Sequence, residues 1–496
     1  MSSALRHGWR TGLAAAVTLV AVAAGQEQSP AEWPKNLQLV LDNAAPLKHS
    51  RGGRLPLYLW PAIGLGKLDA ARAEKIVRLL DERGVGLICN WNHQAFEASL
   101  AEALPVARAQ KAAGLPINVQ ATALLSSFFD GTDATAHVDE QGKPFFDDSF
   151  GNVKMGCPFR VEHRIEVIRR RVSMFAAAYA AENLRIGFIF TDWEIDGPVE
   201  WNHAQDASRR CVVCRKHLPQ VDDFLAYQQV LRHLRSRLQW KAYAEPVLEA
   251  HPGALVGNYG VYPHNGWRYW YDYFEKYVPG QPALKDQKAL YRHWANEFED
   301  TGYTFAMPVV YPWSWTWNWY DFAPGDYRWF YNGLLVASNA GRHTPPHIPI
   351  IAFVHWHTVE VGLSEREAGA PADAEPARQM SEKTYQELLW HMLLRGTDTF
   401  FLWCTQKESQ KEVQLLHPVW AAAQAYGEFL ERGVPITFEV PPKPGPVVSG
   451  LRLGQRVLVR RTDFASDTAP VTIQVGERRL QVSAAPGRCQ ILTLGM

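Results

Sequence analysis

Short apolar runs alternate with longer amphipathic stretches over most of this chain. The runs at 55–60, 85–90, 116–121, 186–192, 254–260, 304–310, 348–355 and 397–404 are near-continuous in apolar residues, the pattern of parallel strands covered on both faces. Stretches with helical spacing lie between them. One is 69–83, with Ala73, Ile76, Val77 and Leu80 on one face; others are 96–113, 161–182, 221–250, 284–298, 327–340 and 381–394. Eight strands alternating with helices predict an α/β fold, a (β/α)8 TIM-like barrel. A doubly wound open sheet would show the same alternation, but no Gly-rich phosphate turn follows the first strand. The segment 27–54 is polar and irregular, 124–158 is an insertion rich in Gly, Asp and Phe, and 368–376 is a low-complexity loop. A proline-rich break at 440–446 is followed by short alternating runs such as 456–461 and 471–475. They predict a small β-rich C-terminal domain at 445–496 behind a barrel domain at 26–440.

The first residues read differently. Arg6, His7 and Arg10 precede an apolar, Ala- and Val-rich run at 12–24, and residues 1–25 are expected to be a signal peptide. A secreted or periplasmic protein is the expectation. No later segment offers the roughly 20 apolar residues of a membrane helix, so no membrane partner is expected after cleavage.

Composition narrows the class further. The 496 residues carry 51 basic and 51 acidic side chains, a formal net charge of zero, which excludes a general nucleic-acid binder. With 47% hydrophobic and 21% charged residues the chain is globular rather than disordered. The 19 Trp residues are clustered, notably in P-W-S-W-T-W-N-W-Y-D-F at 312–322 and G-W-R-Y-W-Y at 266–271. Sugar rings present flat C–H faces that stack on such side chains, so a carbohydrate is the expected partner. Oligomeric state is not legible. Of the six cysteines, Cys211 and Cys214 form a C-x-x-C without a second ligand pair at matched spacing, although His203 and His217 lie near. A local disulfide or two free thiols is the reading, and no metal or other cofactor is expected.

In a barrel the chemistry belongs at the C-terminal strand ends. There the sequence sets Trp60, Asn90, Asn92, Asp192, Glu194, Tyr259, Tyr262, Tyr311, His355 and Trp403, with Trp313 and Trp315 just beyond. Asp192 and Glu194 are two apart at the end of an apolar run, so both should face the mouth. Two carboxyls so close cannot both ionise freely, and one is held protonated as a general acid.

Asp192-Trp193-Glu194 resembles the motif of the animal and venom hyaluronidases, glycoside hydrolases with a distorted barrel. Three later stretches are similar in order. These are Gly257-Asn258-Tyr259-Gly260-Val261-Tyr262-Pro263, Met307-Pro308-Val309-Val310-Tyr311 and Phe401-Leu402-Trp403. The resemblance covers about 186–404. It implies a retaining, substrate-assisted hydrolysis of an N-acetylhexosamine-containing glycan. Glu194 would be the general acid/base, Asp192 would orient the acetamido group, Tyr259 and Tyr311 would be site tyrosines, and Trp403 would wall the acetamido pocket. The sequence departs from the family after Glu194, where Ile195-Asp196-Gly197-Pro198 replaces Trp-Arg-Pro, and in its Trp-rich loop.

Three other functions share these residues. A glycosidase with two protein carboxylates would pair Glu194 with Asp196, Glu200, Asp321 or Glu360. A non-catalytic carbohydrate-binding barrel would need only the aromatic clusters. A metal-dependent hydrolase would use His355 and His357.

Overall fold

A computed structural model of the chain describes residues 33–60, 66–125, 131–148, 154–193, 204–264, 297–312, 327–359, 377–464 and 469–495. The segment 1–25 and residues Glu194, Trp313 and Trp315 lie outside them, as does most of the helix expected at 284–298.

The strands of the first part are β1 (Leu57–Trp60), β2 (Val85–Gly86), β3 (Ile88–Asn90), β4 (Ile117–Gln120), β5 (His137–Val138), β6 (Pro144–Phe145), β7 (Ile186–Thr191), β8 (Leu255–Asn258), β9 (Val309–Val310), β10 (Ile351–Val354) and β11 (Thr399–Trp403). They make a mixed α/β protein with two parallel sheets, β2-β1-β11-β10-β9 and β3-β4-β7-β8, and a small hairpin β5-β6 in the insertion. The run expected as one strand at 85–90 is divided between the two sheets. Leu87 buries its side chain in the outer core, and its carbonyl is taken by Gln110 Nε2 (2.7 Å) and Asn118 Nδ2 (3.2 Å). Those side-chain bonds replace the ladder at that residue. At the other edge, Thr304 N–H donates to the Val256 carbonyl (2.8 Å) and Met307 N–H to that of Val261 (2.9 Å), while Ala306 bridges Ile350. Residues 304–307 therefore lie between β8 and β10, although only Val309–Val310 of the run expected at 304–310 is a strand.

Alternation along the strands sorts the core. Tyr58, Phe188, Phe190, Ile351, Phe353 and Phe401 form one inner cluster, with Tyr58 stacked on Phe188 (4.1 Å) and Phe353 on Phe401 (5.5 Å). Their neighbours Leu57, Leu59, Ile189, Ala352, Phe400 and Leu402 face the helices in a larger outer core. Helices start where the chemistry allows. Asp69 Oδ1 accepts the Arg72 N–H ahead of the helix Ala70–Asp81, and Ser381 Oγ accepts that of Thr384 ahead of Glu382–Leu393. The stretch read as irregular at 27–54 contains a helix, Lys35–Asn43, which buries Leu37 and Val40. The long helical stretch expected at 221–250 is Phe224–Gln239, a π turn at Trp240–Ala244, and Glu245–Ala250.

Beyond residue 433 the chain is antiparallel. β12 (Val434–Pro435), β13 (Pro446–Leu453), β14 (Arg456–Asp463) and β17 (Cys489–Thr493) form one sheet, and β15 (Val471–Val475) pairs with β16 (Arg478–Val482). This sheet meets Glu382–Leu393 through buried polar groups. Arg460 makes two 2.7 Å bonds to Glu387, His391 bonds Ser449 and Thr462, and Arg395 bonds Ser449 and Ser338. Among the described residues, no helix is long and apolar enough to cross a membrane.

Candidate active site

The inner side chains become polar at the C-terminal strand ends. Asp192 follows the last residue of β7, and its neighbours hold it by the backbone. Thr122 Oγ1 accepts the Asp192 N–H (2.8 Å) and is itself bonded by Gln120 Nε2 (2.9 Å). Asn258, fully buried at the end of β8, accepts from Trp193 N–H (2.8 Å) and Thr191 Oγ1 (3.2 Å) on Oδ1 and donates from Nδ2 to the Trp193 carbonyl (3.1 Å). Trp193 is thereby turned into the outer core. The Asp192 Oδ1 is buried with no hydrogen-bond partner among the described residues. Loss of water pushes its carboxyl up to about 7. An orphaned carboxyl oxygen at a strand end is costly unless something else satisfies it, which is what a ligand-facing group requires.

Beside it, Tyr259 N–H bonds the Thr191 carbonyl (3.1 Å), and the Tyr259 and Tyr311 hydroxyls are 2.7 Å apart. Tyr311 is stacked on Trp403 (5.7 Å), and His355 sits edge-on to Trp403 (4.7 Å). Trp60 packs on Phe190 and Phe353 below them (6.3 and 6.5 Å). Asn90 is exposed two residues beyond the inner Ile88.

So the structure gathers Trp60, Asn90, Asp192, Tyr259, Tyr311, His355 and Trp403 at one end of the inner cluster. Two residues predicted for the site are employed elsewhere. Tyr262 packs into the outer core, and Asn92 caps the turn His93–Ala95, its Oδ1 accepting the Gln94 N–H. Glu194, Trp313, Trp315, and the alternative carboxylates Asp196, Glu200, Asp321 and Glu360 lie outside the described residues. Sequence reasoning missed Gln120 and Thr122, and it met Asn258 only as a strand-end residue without a role. The only available signal was their position at the ends of apolar runs, next to a motif that needs its backbone fixed.

Of the His-x-His pair, His357 is hydrogen-bonded to a carboxylate and His355 lies beside it. Glu412, fully buried, accepts the backbone N–H of Trp356 and of His357 (3.0 Å each) and bonds His357 Nδ1 (2.8 Å), and its Oε1 is 3.1 Å from His355 Nε2. Burial pushes His355 down to about 3, leaving it neutral, whereas the bond to Glu412 raises His357. His355, His357 and Glu408 lie close enough to share a metal ion, and His357 Nδ1 is already bonded to Glu412.

A second cluster overturns the reading of the C-x-x-C as an isolated pair. Cys211 and Cys214 are joined by Cys157 and His137, from a distant part of the chain, and all four are buried. His203 lies outside the described residues, and His217 is stacked on Phe159 instead (4.9 Å).

No family model and no curated protein matches the chain. Among solved structures it is similar to bee venom hyaluronidase, at 12% identity and a TM-score of 0.30, over 56% of this chain and 81% of that one. It is also similar to alpha-L-fucosidase isoenzyme 1 from Paenibacillus thiaminolyticus (11%, TM-score 0.37, 91% and 88%). A third is the alpha-galactosidase AgaA of Geobacillus stearothermophilus (11%, TM-score 0.42, 92% and 57%). All three TM-scores are below 0.5, so the chemistry proposed below rests on this chain's own side chains.

Proposed function

We propose that the chain is a secreted glycoside hydrolase that cleaves an N-acetylhexosamine-containing glycan with retention, assisted by the substrate's own acetamido group. The two parallel sheets act as one (β/α)8 barrel whose mouth is the site, with the antiparallel sheet behind it as a separate small domain. The observation that carries the reading is the Asp192 carboxyl, held by its backbone at the mouth with one oxygen buried and unpartnered.

In this reaction the acetamido oxygen attacks the anomeric carbon as Glu194 protonates the departing glycosidic oxygen. The bond to the leaving group breaks, and a cyclic oxazolinium forms. Its positive charge gathers on the acetamido nitrogen, where the ionised Asp192 accepts the N–H and stabilises it. Water then attacks the anomeric carbon, Glu194 takes its proton, and the bond from that carbon to the acetamido oxygen breaks, restoring the acetamide. No protein nucleophile is required, because the substrate's acetamido oxygen takes that part, and Glu194 serves as both acid and base. Tyr259 and Tyr311, already bonded to each other, offer hydroxyl hydrogen bonds to the acetamido oxygen. Trp403, Tyr311 and Trp60 offer apolar faces to the sugar.

The test is hydrolysis of a glycan panel by wild type and Glu194→Gln. Cleavage confined to hexosaminidic bonds and lowered at least about a hundredfold by the substitution supports the assignment. Equal cleavage by both proteins contradicts it.

A further inference from the structure

We propose that His137, Cys157, Cys211 and Cys214 form a structural zinc site that fastens the insertion hairpin to the chain leaving the active-site strand β7.

The geometry is that of a tetrahedron. Cys157 Sγ is 3.5 Å from Cys214 Sγ and 4.0 Å from Cys211 Sγ, and His137 Nδ1 is 3.7 Å from Cys214 Sγ. All four ligand atoms fall within 4.8 Å of one another. A tetrahedral zinc with Zn–S of about 2.3 Å and Zn–N of about 2.0 Å requires S···S edges of ~3.8 Å and S···N edges of ~3.6 Å. The S···S separations lie on either side of the first value, and the S···N separation is close to the second. A disulfide requires about 2.05 Å between sulfurs, and all three cysteines are free. Three soft thiolates with one imidazole are a zinc donor set.

The surroundings are built for ligation. His137 and Cys157 are 0% and 1% exposed, and Cys211 and Cys214 are both 0%. The Val138 N–H points at Cys211 Sγ (3.4 Å), the backbone bond that steadies a metal-bound thiolate. Phe145 stacks on His137 (5.2 Å) and fixes the ring. Cys157 N–H bonds the Thr135 carbonyl (2.7 Å). The preceding Gly156 approaches that carbonyl so closely that a Cβ would meet it at 2.2 Å, so only glycine lets Cys157 reach the cluster. The ligands come from three places: hairpin β5-β6, the segment before the helix Glu162–Ala181, and the two turns of helix at 205–217. Each piece is short and none has a core of its own. Metal binding releases three thiol protons to solvent, and zinc takes three thiolates and the neutral His137 nitrogen, with no redox change.

The test uses the full chain, expressed with zinc and purified under reducing conditions without chelator. Metal analysis should give about one zinc per chain, falling below a tenth of that in Cys157→Ser/Cys214→Ser but unchanged in Cys489→Ser. Should the double variant not fold, wild-type protein exchanged into cobalt decides. Intense visible bands of a tetrahedral site together with thiolate-to-cobalt charge transfer support the assignment. Wild-type protein free of stoichiometric zinc and lacking those cobalt bands would overturn it. So would an intact mass lower by two hydrogens with a disulfide mapped among Cys157, Cys211 and Cys214.

Discussion

Asp192 carries the most specific expectation at the scale of single residues. An ordinary aspartyl carboxyl titrates near 3.9, and burial moves this one up to about 7. A raised carboxyl favours the protonated form in the fold, so its contribution is full below about pH 4 and is lost as pH rises through about 7. Asp192→Asn should therefore leave stability unchanged at pH 4 and raise it by about 1–3 kcal/mol at pH 8, measured by urea unfolding. Equal effects at both pH values would place the carboxyl in water. On the proposed mechanism the same substitution removes the acceptor for the acetamido N–H and should lower kcat/KM on N-acetyl substrates by at least about a hundredfold. Asn258 bonds the residues on either side of Asp192. Its three hydrogen bonds to Thr191 and Trp193 set the direction in which the motif leaves β7. Asn258→Ala should cost about 1–3 kcal/mol of stability. It should also lower kcat about tenfold with KM little changed; a KM effect alone would make Asn258 a binding residue instead.

The elements show why some of this was legible and some not. The apolar runs at 186–192, 348–355 and 397–404 were long enough to mark β7, β10 and β11, and period-two alternation then assigned Phe190, Phe353 and Phe401 to the inside. β2 and β3 read as one strand because nothing in the run 85–90 announces that Gln110 and Asn118 will seize the Leu87 carbonyl. The helix Lys35–Asn43 was hidden because only Leu37 and Val40 of its nine residues are buried. The zinc ligands were invisible for a related reason: local spacing shows Cys211 and Cys214, but His137 and Cys157 arrive by tertiary folding. The join between the Glu382–Leu393 helix and the antiparallel sheet is a further case. Arg460 and Glu387 are 5% and 8% exposed, and their two bonds leave no partner in water. Glu387→Ala strands a buried guanidinium and should cost about 3–5 kcal/mol. Pairing it with Arg460→Met should recover most of that loss in chemical unfolding, whereas additive losses would mean that the two residues stabilise independently.

At the scale of the whole molecule, the parts converge on one end of the inner cluster. β7 and β8 deliver Asp192 and Tyr259, the 304–312 segment delivers Tyr311, and β10 and β11 deliver His355 and Trp403. The Cys3His cluster brings Cys211 and Cys214 together with His137 and Cys157 of the insertion. Aromatic walls, the Tyr259–Tyr311 hydroxyl pair and the Asp192 carboxyl underlie the proposal that the substrate supplies its own nucleophile. The most direct test of that idea is inhibition of wild-type hydrolysis by a thiazoline mimic of the cyclised N-acetylhexosamine. Substrate assistance predicts competitive inhibition, with affinity at least about a hundredfold greater than for the free amino sugar. Undiminished hydrolysis in the presence of saturating thiazoline, with cleavage of sugars that lack the N-acetyl group, would contradict it.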